Sequence, residues 1–364
     1  MLHKLQLPNA EYQDLRRIFH FQICLLLWIL CKSGEIEFEQ ATIIQKFGPK
    51  AGKWLSGRIW WGGEITKFGN KISSLMELVG TNTEQAKSAA DYIWNDIQFH
   101  KRWDSPDYGM KFPMLQEEWK KAIHDICIPF YENWFRGAGF KKNDFGISGD
   151  YINRAKLMQA FRSNGTGVCS YCDGALGDVG STKEANDCEH FFPQSKFPHL
   201  CLHPRNLFAS CKGCNETWKI DKAPMGGGDP AGLYGTYHPD LRPGIGGVSV
   251  NVNEEPDRKY KITLMDDNVA ERVVSLNAVL DIDSRWTNDI NERLRANLSE
   301  LIAESVRVCR KHGAIDQEEV EDILSSIIAY REEKIGKSIR TVREIAVLKY
   351  QKAHQIGALL SEIA

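Results

Sequence analysis

Along the first third of the chain, apolar residues recur at intervals of three and four. Leu15, Ile18, Phe19, Ile23 and Leu26 fall on one helical stripe, and Trp119, Ile123 and Ile126 on another. The stretch from Asp14 to Ile128 is therefore predicted to be mainly helical. Trp61-Gly-Gly, Phe68-Gly-Asn and Ser105-Pro-Asp-Tyr-Gly are expected to be the loops between helices. A short helix from Tyr151 to Arg162, with Arg154 and Lys156 on a basic face, is expected to break at Gly165 and Gly167. The pattern then changes. Asp187-Cys-Glu-His-Phe-Phe-Pro193 reads as a short strand stopped by proline, Pro204 and Asn206 lie on its return, and a helix runs from Cys211 through Trp218 to about Lys222. Gly226-Gly-Gly-Asp-Pro and Pro243-Gly-Ile-Gly-Gly mark a loop to about Gly247, read as a flexible flap beside a site. Tyr260-Lys-Ile-Thr-Leu264 is strand-like, and helical spacing returns from Val269, as at Ile290, Leu294, Leu298 and Leu301. The fold class is thus mainly α with a small α+β core, divided as residues 1–150, 151–262 and 263–364.

The most apolar run, from Phe21 to Leu30, is about half the roughly 20 residues of a membrane span, so it is expected to be a buried helix. The first residues lack the charged region, apolar stretch and small-residue site of a secretion signal. Ten cysteines in 364 residues without such a signal favour metal ligation and reduced thiols over disulfides, and the cytoplasm as the setting. Net charge is −2, which excludes an indiscriminate polycation. Its distribution is uneven: 17 Lys/Arg against 16 Asp/Glu in residues 1–140, 11 against 9 in 141–222, and 18 against 23 in 223–364. The segments carry +1, +2 and −5, so the mildly basic part is the middle one. Trp54, Trp60 and Trp61 near Lys53 and Arg58 could stack on a nucleic acid, although core and surface aromatics of a helical domain are the plainer reading.

That middle segment carries the chemistry. Cys169/Cys172 and Cys211/Cys214 are two Cys-x-x-Cys pairs. Their spacing lets one tight turn aim two sulfurs at one ion, and four thiolates match a closed structural zinc site. Cys188 and Cys201 have no such partner and are expected to be small buried residues. Glu189, His190, Asn206 and Asn215 lie between or just after the pairs, and a strand, a return and a helix would bring Glu189, His190 and Asn215 toward one point.

With these residues, the segment from Cys169 to Lys222 resembles the HNH endonuclease family, or ββα-metal nucleases, in its cysteine-rich form. Cys-Glu-His-Phe-Phe-Pro and Cys-Lys-Gly-Cys-Asn-Glu-Thr-Trp-Lys are also similar in wording to HNH nucleases of bacterial anti-phage modules, such as the Septu type and some retron effectors. The resemblance implies a zinc-stapled ββα core between two helical regions. It implies that Glu189 and Asn215 hold a catalytic magnesium or manganese ion, that His190 is the general base, and that Asn206 fixes the hairpin and the His190 orientation. The helical arms would dock a protein partner. Two positions depart from the family: Glu189 stands where Asp is commoner, and Lys219 where some members place a second His.

Independently of that resemblance, phosphodiester hydrolysis needs an activated water, a counter-charge for the phosphate and stabilisation of the leaving oxygen. A neutral imidazole and hard oxygen ligands suit that task. Arg205, Lys212, Lys219 and Lys222 are expected to hold backbone phosphates, and His199, His203 and His238 are expected to be ordinary loop residues. DNA is the expected substrate, with RNA possible and no membrane partner. A zinc-stapled module that only binds nucleic acid or protein, and an RNA-cleaving toxin, are the other readings. One tension is geometric: neighbours on a regular strand face opposite ways, so Glu189 and His190 share a site only if the strand bulges or ends there.

Overall fold

The fold is that of a computed structural model, which describes residues 2–5, 7–32, 38–164, 167–176, 186–223, 232–257, 259–309, 317–335, 337–338 and 340–358. It is mainly helical with four small two-stranded sheets among the described residues. Helix α1 (Asn9–Lys32) buries Leu15, Ile18, Phe19, Ile23 and Leu26, and its apolar middle also buries Leu25, Ile29 and Leu30. Among the described residues no helix is long and apolar enough to cross a membrane. After α2 (Gln40–Phe47) and α3 (Ala51–Ile59), the Trp61-Gly-Gly stretch is the tip of a hairpin of β1 (Trp60–Trp61) and β2 (Glu64–Ile65). Gly62 and Gly63 turn it with φ of 60° and 87°, a region that residues with a Cβ rarely enter.

The expected loop at Phe68-Gly-Asn is instead the first turn of α4 (Lys67–Thr81). Thr66 caps that helix by accepting from the Gly69 N–H at 3.1 Å. Gly69 is there for contact, since a Cβ would lie 2.6 Å from the Ile59 carbonyl oxygen. Helices α5 (Thr83–Asp96) and α6 (Glu117–Pro129) complete the bundle, and α1 packs on α4, α5 and α6. Trp54 is half-buried and packs against the core among Phe21, Phe130, Trp134, Phe140 and Phe145, with Arg58 over its ring. Trp61 alone of the three tryptophans is largely exposed, at 80%.

Strands β3 (Phe140–Lys141) and β4 (Tyr151–Ile152) pair, which delays the next helix: α7 runs Arg154–Ser163, not from Tyr151, and Asn153 caps it. Gly165 and the Gly226-to-Pro230 part of the expected flap lie outside the described residues. The central hairpin joins β5 (Asn186–His190) to β6 (Leu207–Cys211), antiparallel, with Glu189 opposite Phe208 and His190 opposite Leu207. A π-helical segment, Gly213–Lys219, follows it.

The described part of the flap is packed. Leu233, Tyr237 and His238 are buried, and the Ile245 N–H donates to the Leu2 carbonyl at 2.8 Å. The fourth two-stranded sheet, β7 (Ser249–Glu254) with β8 (Tyr260–Met265), supplies a strand that the polar sequence of β7 hid. Helices α8 (Ala270–Leu280), α9 (Ile282–Asp289), α10 (Arg295–Cys309), α11 (Gln317–Glu332) and α12 (Thr341–His354) end the fold. The expected stripe holds at Ile290, Leu294 and Leu298 but continues through buried Ile302, in steps of four residues, leaving Leu301 half-exposed.

Candidate metal centre and adjoining cleft

Four sulfurs meet where the turn at Cys169–Cys172 faces the end of β6. The Sγ atoms of Cys169, Cys172, Cys211 and Cys214 all lie within 4.8 Å of one another, and Cys172 and Cys211 are 3.7 Å apart. A tetrahedral ion with zinc–sulfur bonds of about 2.3 Å needs sulfurs ~3.8 Å apart, so the group fits a structural metal such as zinc. Main-chain donors already serve the sulfurs. The Cys211 N–H points at Cys169 Sγ (3.3 Å) and the Cys214 N–H at Cys211 Sγ (3.5 Å). Arg285 of α9 places both terminal nitrogens 3.5 Å from Cys214 Sγ and stacks over Trp218, so a cation faces the thiolate cluster. Without an ion, burial and the other three cysteines push the Cys169 thiol well up. Cys188 and Cys201 are buried outside this group, Cys201 against Gln22 and the Cys127 carbonyl.

Beside the sulfurs opens a cleft of about 280 Å³, lined by Glu189, His190 and Asn215 together with Tyr131, Arg136 and Arg154. Glu189 and His190 are successive ladder residues, opposite Phe208 and Leu207 with no bulge between them, and both line the cleft because it opens at the last residue of β5. His190 Nε2 lies 3.0 Å from the Cys201 carbonyl oxygen, which can only accept. Nε2 therefore carries the proton and Nδ1 the lone pair. Burial lowers the His190 pKa to about 4; the Lys219 charge adds to the effect, while the Cys201 carbonyl and Glu132 oppose it. The ring meets Tyr131 edge-on at 4.4 Å, and the Tyr131 hydroxyl donates to the Cys188 carbonyl at 3.1 Å.

Asn206 organises the excursion between the two strands. Its Oδ1 accepts from the Phe192 N–H at 2.6 Å, and its Nδ2 donates to the Phe192 and Leu200 carbonyls at 3.2 and 2.9 Å. The same excursion carries the Cys201 carbonyl that orients His190, so Asn206 acts on the site from behind it and is itself fully buried.

Of the expected phosphate contacts, Lys219 is a correction. It is 0% exposed, with Nζ 2.5 Å from Glu189 Oε1 and 2.6 Å from the His190 carbonyl oxygen, so it cannot reach a phosphate from this position. The wider π-helical winding turns it inward. Arg205 pairs with Asp240 at 2.9 Å, lies over Tyr12 and does not line the cleft. Lys212 and Lys222 are exposed, Lys212 within 3.5 Å of Glu216. His199, His203 and His238 are all buried, and His238 Nδ1 accepts from the Asp240 and Leu241 N–H groups at 3.1 Å.

Two cations of the cleft wall were missed or undervalued. Arg154 stands at the start of α7, where a basic helix face before the first cysteine pair was the available signal. Arg136 pairs with Glu132 at 2.9 Å and comes from the first helical region, 33 residues before Cys169, with nothing local to mark it. Part of the chain is 35% identical over 78 residues to the Septu protein PtuB of Bacillus thuringiensis, covering 17% of this chain and 29% of that protein. The chain thus spans less than a third of the length of the curated relative it matches. No family model matches the chain, and no solved structure does.

Proposed function

We propose that the cleft hydrolyses phosphodiester bonds, with DNA as substrate, as an HNH endonuclease of an anti-phage module. The observation that carries this reading is the fixed, neutral His190: a carbonyl holds its Nε2 proton, so Nδ1 is left as a base beside a carboxylate and an amide. The partial similarity to a Septu protein supports the defence context.

In this mechanism His190 Nδ1 takes the proton of a water that attacks phosphorus. The phosphorus–oxygen bond to the leaving sugar breaks, and that oxygen takes a proton from solvent. Arg154 and Arg136 at the cleft wall attract the phosphate, and exposed Lys212 and Lys222 guide the strand. Glu189 and Asn215, both lining the cleft, offer the hard oxygen donors that suit magnesium or manganese. Such an ion, when bound, would supply counter-charge to the phosphate and to the leaving oxygen. The helical regions would dock a protein that restrains or triggers cutting.

The test is incubation of the purified, zinc-loaded chain with plasmid and with RNA, with and without Mg2+ or Mn2+, alongside His190→Ala. Wild type should cut DNA, and His190→Ala should keep zinc and lose activity by about 10²- to 10⁴-fold. A His190→Ala protein that cuts at the wild-type rate would rule the mechanism out. Preferential cutting of RNA would favour the toxin reading. No cutting would leave the binding module, which the pairing of Glu189 with Lys219 favours.

A further inference from the structure

The buried ammonium of Lys219 has no part in that chemistry, yet it touches two of its central groups. Its Nζ bridges Glu189 Oε1 and the main-chain carbonyl of His190, at 2.5 and 2.6 Å, with the side chain fully buried. A desolvated ammonium needs such acceptors, and removing them would leave a buried charge unpaired. The main chain is built around this placement. Gly213–Lys219 winds as a π-helix, and Ile220 turns out of it with φ 49° while its N–H reaches back to the Asn215 carbonyl at 3.0 Å. Lys219 thus ties the end of β5 to the segment that carries Asn215.

Within this pair the charges oppose each other before any ion arrives. Glu189 contributes one negative charge and Lys219 one positive, whereas a bound magnesium or manganese relies on one or two carboxylates with their charge intact. Two cations on one carboxylate repel each other. Resting on the nuclease reading above, we infer that Lys219 is a positioning residue and resident cation: it holds Glu189 and His190 on one side of the strand end and competes with the divalent ion for Glu189. Ion occupancy, and with it cutting, is thereby set by whatever moves the Gly213–Lys219 segment.

The probe is Mn2+, followed through the electron paramagnetic resonance signal of the free ion as it is titrated into the full-length, zinc-loaded chain. Lys219→Met keeps the length and the apolar stem and removes the charge. It should bind Mn2+ at least about tenfold tighter than wild type, the scale on which one neighbouring charge shifts the proton affinity of a carboxylate. The gain should vanish when Glu189→Gln is added. A residue with only a structural role would give the opposite sign, since loosening the site weakens the ion. Lys219→Met with unchanged zinc content and circular dichroism, and with Mn2+ affinity equal to or below wild type, overturns the inference. If that variant does not fold, lysine-specific 15N labelling of wild type replaces it: Mg2+ should shift the resonance of the buried ammonium, and an unmoved resonance at saturating Mg2+ overturns the inference. Plasmid cleavage by the same preparations separates the two claims. Cutting by wild type without tighter binding in Lys219→Met removes the gate alone, whereas tighter binding through Glu189 with no cutting by any preparation removes the nuclease alone.

Discussion

The three hydrogen bonds of the Asn206 amide all go to main-chain groups, two at Phe192 and one at Leu200. A buried loop is stable only when its polar groups are paired, and here the Asn206 side chain joins the two ends of a segment whose other main-chain bonds are local turns, such as Phe197 N–H to the Pro193 carbonyl at 2.8 Å. Asn206→Ala should therefore destabilise the protein by about 2–4 kcal/mol, since it leaves the Phe192 N–H and carbonyl unpaired, whereas the Leu200 carbonyl keeps the His203 N–H at 3.0 Å. Asn206→Asp keeps the acceptor but faces two carbonyls with a carboxylate, so it should not rescue. Urea denaturation of the two variants measures this, and a loss below about 1 kcal/mol in Asn206→Ala would mean that the loop holds itself. Activity should fall with stability in both, because the Cys201 carbonyl that orients His190 rides on the same loop.

At the scale of elements, the excursion from β5 to β6 is packed by histidines. His203 sits between Phe19 and Phe99, and His238 against Trp103, Phe191 and Phe208. Burial holds both pKa values well below the histidine range, with Arg205 among the charges that add to the effect. Native histidines stay neutral while those of the unfolded chain take up protons below about pH 6.5, so the unfolded state binds more protons and stability falls as pH falls. Each fully buried histidine contributes about 1.4 kcal/mol per pH unit to that slope, and the pair about twice as much. Urea midpoints between pH 7.5 and 5 should drop accordingly; a flat profile would mean that these rings are protonated in the native state. None of this packing was legible in advance. The cysteine pairs, the strand end and the α1 stripe could be read because each is a local pattern of spacing. The burial of Lys219 could not, because its acceptors lie 29 and 30 residues earlier and a lysine in a polar helix reads as surface. Tyr131 and Arg136 reach the cleft through packing of the first helical region, and β7 carries too many polar residues to stand out as a strand.

Across the whole molecule, the turn that carries the first cysteine pair fastens distant parts of the chain. Asp173, fully buried with φ 59°, places Oδ1 2.7 Å from His3 Nε2 and accepts the Val342 N–H on Oδ2 at 3.0 Å, while its carbonyl accepts the Arg340 N–H at 2.9 Å. The carboxylate thereby caps the N-terminus of α12, where negative charge is stabilising. The Trp286 indole of α9 donates to the Cys172 carbonyl at 3.1 Å, and Arg285 beside it faces Cys214. The turn of the four-cysteine group is therefore a staple for the first residues and for two C-terminal helices as well as for the cleft. Removing zinc with a chelator should lower amide-exchange protection at residues 2–5, in α9 and in α12 together with the hairpin, while α4, α5 and α6 keep theirs. Asp173→Ala separates the two effects. With zinc still bound it should lose protection at residues 2–5 and in the first turn of α12 and cost about 3–5 kcal/mol, from two buried charge-assisted bonds, with the hairpin intact. If chelation leaves α12 as protected as before, the helix stands on its own packing, and the metal centre serves only the cleft.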